Sequence, residues 1–401
     1  MKAPIPAAVN PALLVWARQE SGFPVEPVAK RLHVTPDRLV AWELGQVKPT
    51  VRQVRELAGF YRRPFGIFFL PAPPVIPPLA AQYRKLPGVE PGEESPEFRL
   101  AVRIMLQRRE TALNLAEELG APFNEFRLSL RLGEPPIEAG RRLREALGVT
   151  MEEQSGWRHE WEAWWRWRGA LENAGVLVLQ FPKVPLVQAR GVSLLQFPLP
   201  VVGINSKESS AAARAFTLMH ELVHIALALG KEVLNALKEG RDAAAWMDVE
   251  RYAEEVASHI LIPKARLDGA LAALPAHKGG WDIARMKALA AGFRVTPLAM
   301  ATRLRSAGVL TWEAYRQWKA LWDDYLRGLP ARKGFATPID KTIGRCGRPL
   351  AQLVLQAMDT NRITAVEASR TLDLRFNHFE GLRERLYKPP ASSRAGADDG
   401  E

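Results

Sequence analysis

Apolar positions along this chain recur at helical spacing over most of its length and form short unbroken runs at three places. Near the start, Leu13, Leu14 and Ala17 begin one helix, which Gly22 breaks. Val25, Val28, Ala29 and Leu32 mark a second. After the short turn His33-Val34, Thr35 is a natural N-cap and Pro36 a natural first helical residue, opening a third helix that ends at Trp42-Glu43-Leu44-Gly45. Prolines crowd residues 71–78, which must be an extended linker or stiff strap. Helices are predicted from Phe98 to Leu119, stopped by Gly120, and from Glu138 to Leu147. Short apolar runs at 176–181, 191–193 and 201–205 read as strands, and long helical patterns follow over 216–227 and 249–262. The end, 349–386, reads as helix, turn, helix, with Thr364 and Glu367 spaced as a capping box. The class expected is mainly α with a small β-sheet, α+β.

Within the first long pattern stands His220-Glu221-Leu222-Val223-His224, the spacing H-E-x-x-H, in uncharged surroundings. On a helix, positions i and i+4 share a face, so both imidazoles point to one spot and can hold Zn²⁺, while Glu221 serves as general base toward the attacking water. A third ligand is needed. The next patterned helix supplies Glu250, assigned that role, with Glu255 and His259 as rivals; Glu254, one turn on, is placed to accept a hydrogen bond from the free ring nitrogen of a ligating histidine. The donor set tolerates Mn²⁺ as well.

The segments Ile204-Asn205, Arg214 through His224, Glu250 through Ala257 and Leu261-Ile262-Pro263 resemble the ImmA/IrrE family of intracellular metallopeptidases, and the likeness extends through Phe293–Pro297 and Arg303-Leu304. It spans roughly residues 137–307. The resemblance implies a zincin-like peptidase core, a zinc site of His220, His224 and Glu250, and Glu221 as catalytic base. The sequence departs from the family where an Asn is usual, at Glu254, and where a Phe is usual, at Val256. In such enzymes an edge strand can pair with an extended substrate segment.

The first three predicted helices have the spacing of a helix-turn-helix, and the run Ala29, Leu32, Val34, Leu39, Trp42-Glu43, Gly45, Pro49-Thr50, Leu57-Ala58 resembles the phage-repressor, or XRE, type. Its recognition helix would run from Thr35 to Glu43 and present Thr35, Asp37, Arg38 and Ala41; Thr35, Arg38 and Ala41 are the DNA-contact candidates. Val25 stands where the family usually has a phosphate-binding Gln, and Pro27 fits only a first helical turn.

Charge and composition add three points. The chain has 401 residues, 47% of them hydrophobic, enough for two to four domains, and a net charge of +11 that suits nucleic-acid or acidic partners. Residues 327–394 alone carry thirteen Lys/Arg against six acids, a net of +7. The single cysteine, Cys346, reads as a small core residue and fits a reducing cytoplasm; no apolar run reaches bilayer length, so no membrane is expected. Five tryptophans fall within 157–168. Trp157, Trp161, Trp164 and Arg168 would share a helical face able to stack single-stranded nucleic acid, against the plainer reading of indoles packed at a seam.

The expected organisation is a helix-turn-helix domain at 9–70, a linker and connecting helix at 71–136, a peptidase domain at 137–307, a basic helical module at 308–388 and a disordered tail at 389–401. The expected function is a cytoplasmic zinc endopeptidase that cleaves a regulatory protein, a repressor or antitoxin-like partner, to switch a stress, mobile-element or defence response, with DNA targeting and dimerisation through the helix-turn-helix. Two other readings stand beside it: a DNA-binding regulator or antitoxin that does not cut, and a protease gated by single-stranded nucleic acid.

Overall fold

A computed structural model describes residues 5–75, 94–230, 243–275, 280–328 and 336–387. Residues 76–78 of the Pro-rich stretch and the tail 389–401 lie outside them. The chain divides into two compact units, Met1–Ile104 and Met105–Glu401.

The first unit is built from helices α1 (Pro11–Glu20), α2 (Val25–Arg31), α3 (Pro36–Glu43) and α4 (Val51–Phe60). Each start has a local cause. Asn10 caps α1, and Thr35 accepts from the Arg38 amide at 3.2 Å to cap α3, with Pro36 first as expected. Thr50 and Gln53 form a full capping box on α4. Gly22 leaves α1 at φ +73°, a left-handed conformation that costs glycine little. Pro27 sits in the first turn of α2, where its missing N–H is harmless. Leu13, Leu14, Val28, Leu39, Trp42, Val54 and Leu57 close the core. Beside it lies an ion pair that the sequence reading missed. The Arg18 guanidinium donates twice to the Glu43 carboxylate, at 2.7 and 2.8 Å, and that hydrogen bonding is the main reason its pKa is raised.

A long helix, α5 (Pro96–Glu118), runs from the first unit into the second. The second unit continues with α6 (Pro136–Ala146), α7 (Met151–Gly156) and α8 (Glu160–Asn173), then strands β1 (Leu177–Phe181), β2 (Gly191–Leu194) and β3 (Val201–Asn205). β1 pairs parallel with β3 and β2 antiparallel with it, in the order β1-β3-β2. Every strand residue is buried, which explains why the strands read as apolar runs without alternation. Helix α9 (Ala211–Leu229) packs on β2 and β3, and on α8 and α10 (Ala243–Leu261). By length and composition α9 is the one described helix able to cross a bilayer, contrary to the sequence reading, but most of it is buried inside this unit.

The end of α10 is clamped. Helix termini leave carbonyls without partners, and these are buried. Arg144 donates to the Ile260 carbonyl at 2.8 Å, Gln154 to that of Leu261 at 3.0 Å, and Arg303 to that of Ile262 at 3.0 Å. Arg144 and Gln154 also bond each other at 2.6 Å. Later helices complete the unit, among them α11 (Lys264–Ala272), α12 (Ile283–Ala291), α13 (Pro297–Ser306), α14 (Trp312–Arg327), α15 (Pro338–Asp359), α16 (Ala365–Leu372) and α17 (Phe379–Tyr387). α15 lies against β1 and kinks at Gly347, and the Thr364–Glu367 capping box forms at the start of α16. Cys346 is buried.

Replacing Arg18 with Leu leaves the Glu43 carboxylate buried without its cation, and should cost the first unit about 3 kcal/mol in denaturant unfolding. The double variant Arg18→Leu/Glu43→Leu should recover most of the loss. Equal losses in both variants would show that packing, not the ion pair, is the source.

Candidate metal centre

Helix α9 begins at Ser210, whose hydroxyl accepts from the Ala213 amide, and runs through a nearly uncharged sequence. Its regular pitch stacks His220 above His224. Their Nε2 atoms lie 3.1 Å apart. Glu250 reaches in from α10: its Oε2 is 3.3 Å from His220 Nε2 and its Oε1 3.5 Å from His224 Nε2. Among the described residues these three form the group whose donor atoms all converge, within 4.8 Å of one another.

The spacing fits a metal. Ligand atoms bound tetrahedrally to zinc at ~2.0–2.1 Å stand roughly 3.3 Å apart. Three electron-pair donors aimed at one point repel unless positive charge sits between them; a proton can bridge one pair, whereas a divalent cation satisfies all three. Two neutral imidazoles and one carboxylate are also the mixed nitrogen and oxygen set that suits zinc and admits manganese. His224 is fully buried, while His220 and Glu250 keep partial access to solvent.

Glu221 is buried on the side of α9 that meets β2. The Ser193 hydroxyl donates to its Oε2 at 2.5 Å and lies 3.1 Å from its backbone carbonyl. A side chain at Gly191 would place Cβ 2.5 Å from Thr217 Cγ2 and 2.8 Å from Glu221 Oε1, so only glycine leaves the carboxylate its room. In the sequence, Gly191 and Ser193 read only as part of a strand. The contact spans 28 residues, and the only local signal is a glycine opening an apolar run.

Two further residues of the resemblance act on the backbone around the site. Asn205 donates to the Val184 and Ala189 carbonyls and fixes the β1–β2 connection. Arg214 donates to the carbonyls of Glu208 and Ser206 and shapes the approach to α9.

Other expected residues fall elsewhere. Glu254 lies on the exposed side of α10 and is not among the converging donors, which corrects its expected position beside a ligating histidine. Glu255 is half-buried and also outside the donor group. His259, the other rival, faces α6, where its Cβ occupies the space that a Gly140 side chain would need. The nucleic-acid face does not exist as expected. α8 starts at Glu160, so Trp157 precedes it, and Trp157, Trp164 and Arg168 are buried; only Trp161 is exposed. Helical spacing alone missed this because Arg168 has a structural task. It donates to Glu172 at 2.9 Å, to the Val178 carbonyl at 2.6 Å and to the Ile343 carbonyl at 3.0 Å, tying α8, β1 and α15 together. In the first unit, Thr35, Asp37 and Arg38 are exposed on α3, but Ala41 is half-buried, and Val40 and Leu44 are the exposed apolar neighbours.

Two predictions follow from these contacts. Gly191→Ala should displace Glu221, and Ser193→Ala, which strips the carboxylate of a buried donor, should cost about 1–3 kcal/mol of stability by denaturant unfolding. The second concerns His259, whose pKa is pushed down to about 4 by burial above all, and then by the Arg303 cation. Its folded pKa lies below the unfolded value of about 6.5, so the unfolded chain binds the extra proton between these limits. Stability from this group should be complete above pH 6.5 and drain away as pH falls toward 4. Urea unfolding of His259→Gln should show a flatter dependence over that window; an unchanged slope would exclude His259 as its origin.

Comparison with known families agrees with this layout. Residues 14–68 match the family model described as helix-turn-helix, and residues 172–305 match the peptidase family model described as the IrrE N-terminal-like domain. No curated protein and no solved structure matches the chain. The first match brings DNA binding and the second a metallopeptidase acting on a protein substrate. The chain thus joins a helix-turn-helix domain over residues 14–68 to a domain of the IrrE N-terminal-like peptidase family over residues 172–305.

Proposed function

We propose that the chain is a zinc-dependent endopeptidase of the cytoplasm that cleaves a regulatory protein, a repressor or an antitoxin-like partner, and so switches a stress, mobile-element or defence response. The observation that carries this reading is the meeting of His220, His224 and Glu250 within a domain of the ImmA/IrrE type, with a buried carboxylate one residue along α9. His220, His224 and Glu250 would hold the ion. Bound zinc supplies Lewis acidity, which polarises a carbonyl and makes water a better nucleophile near neutral pH.

The protein's own groups do the rest. Glu221 accepts the proton of the attacking water and returns it to the departing amine nitrogen. The Ser193 hydroxyl donates to Oε2 of Glu221 and orients the carboxylate for that transfer. The helix-turn-helix brings this chemistry to protein bound at DNA, with Arg38 and Thr35 at the groove; a peptidase tethered in this way meets its substrate at raised local concentration.

The test is to compare newly formed protein N-termini in cells that carry the gene natively and express either the wild type or Glu221→Gln, with and without genotoxic stress. Termini found only with the wild type identify substrate and cleavage site together. The variant should keep its metal, measured by atomic spectroscopy, and lose about 10²–10⁴-fold in rate on the substrate so found. Glu250→Ala should lose metal as well as activity. Identical termini under both conditions, with zinc retained, would favour a regulator that binds its partner without cutting it.

A further inference from the structure

The Trp/Arg stretch and the basic end of the chain meet around one pocket that plays no part in the metal centre. We propose that this pocket, between α8 and the C-terminal helices, binds a nucleotide: an anion that joins phosphate to an aromatic base through a sugar. The pocket has a volume of about 370 Å³, within the ~300–1,000 Å³ usual for small-molecule sites.

Four guanidinium groups line it: Arg158 and Arg166 at α8, Arg348 on α15 and Arg385 on α17. Only two carboxylates, Glu153 and Glu162, line it with them. Their pairings are long. Arg158 and Arg166 stand 3.8 and 3.7 Å from Glu162, and Arg166 is 3.9 Å from Glu153. Arg385 is 3.7 Å from Asp340. The Arg348 guanidinium donates to the Leu386 carbonyl at 3.1 Å and enters no ion pair among the described residues. Burial is the main cause of its lowered pKa; Glu172 opposes the shift, and the cations Arg168 and Arg385 add to it. The lining therefore holds more positive charge than its own acids balance, some of it desolvated. Planar guanidinium groups match the oxygens of phosphate.

The ring follows from an indole in the same lining. Trp165 is half-buried there beside Leu147 and Val149, an indole able to stack on a flat aromatic group. Gly169, one turn further along α8, presents bare backbone, and a Cβ added to it would meet nothing within 4 Å. The pocket thus extends to the helix surface, where a larger side chain would fill it without a clash.

Isothermal titration of the full zinc-loaded chain with ADP, adenosine and inorganic phosphate tests the proposal. ADP should bind saturably and more tightly than either fragment. Arg385→Gln should raise its Kd about tenfold, the loss expected for a charge-assisted hydrogen bond, and Gly169→Leu should abolish binding, both with unchanged circular dichroism and zinc content. No saturable ADP binding at millimolar concentration would overturn the proposal. So would phosphate binding as tightly as ADP, which would remove the ring, or binding that survives Gly169→Leu, which would reduce the effect to surface charge. Because the readout is binding, the result is independent of whether the peptidase reading holds.

Discussion

Three electron-pair donors from two helices must meet within about an ion's width, and the second unit is organised around that demand. α9 contributes two of them at no cost in geometry, because a helical turn already stacks residues four apart. The third depends on tertiary structure. Glu250 must be delivered by another helix, at the right depth and rotation, and α10 is held by Arg144, Gln154 and Arg303 on the carbonyls of its last turn. Burying two guanidinium groups carries a desolvation cost, visible in the lowered pKa values of Arg144 and Arg303. The cost is offset because each guanidinium satisfies carbonyls that burial would otherwise leave without partners.

The sheet has a corresponding role toward Glu221. A three-stranded sheet is small, but β2 brings to α9 a residue with no side chain and, two positions on, a hydroxyl. Residues two apart on a strand point to the same face, so Gly191 and Ser193 act on the same carboxylate as a pair. One makes room for it and the other orients it. The converging donor group is completed from α10, and the neighbouring carboxylate is oriented from β2.

Much of this was legible in the sequence. The cap residues Thr35 and Thr364, the stop at Gly120 and the strand runs lie where local chemistry puts them. His220, Glu221 and His224 were visible because their relation is local to one helix. Relations that depend on packing were not. Ser193 meets Glu221, and Arg18 meets Glu43, across stretches with no periodic signature. The tryptophan stretch failed in an instructive way: its residues have the spacing of a helix face, but the helix starts three residues later than the stretch, and the face that carries Arg168 is turned inward to bond three segments at once. Composition marked these residues as unusual, and only the fold shows that some are core while Arg158, Trp165 and Arg166 reach a pocket.

The clamp on α10 has a consequence for how this chain can vary. A helix fixed at its far end converts any change in length into rotation. One residue added or removed between Glu250 and the bonded carbonyl of Ile260 would turn the carboxylate by about 100° and shift it by about 1.5 Å along the axis. Substitutions on the solvent side of that stretch, Glu254 among them, leave the register untouched. The segment is therefore a ruler: its composition is free to drift on one face, while its length is set by the two histidines that Glu250 meets at one end and by two arginines and a glutamine at the other.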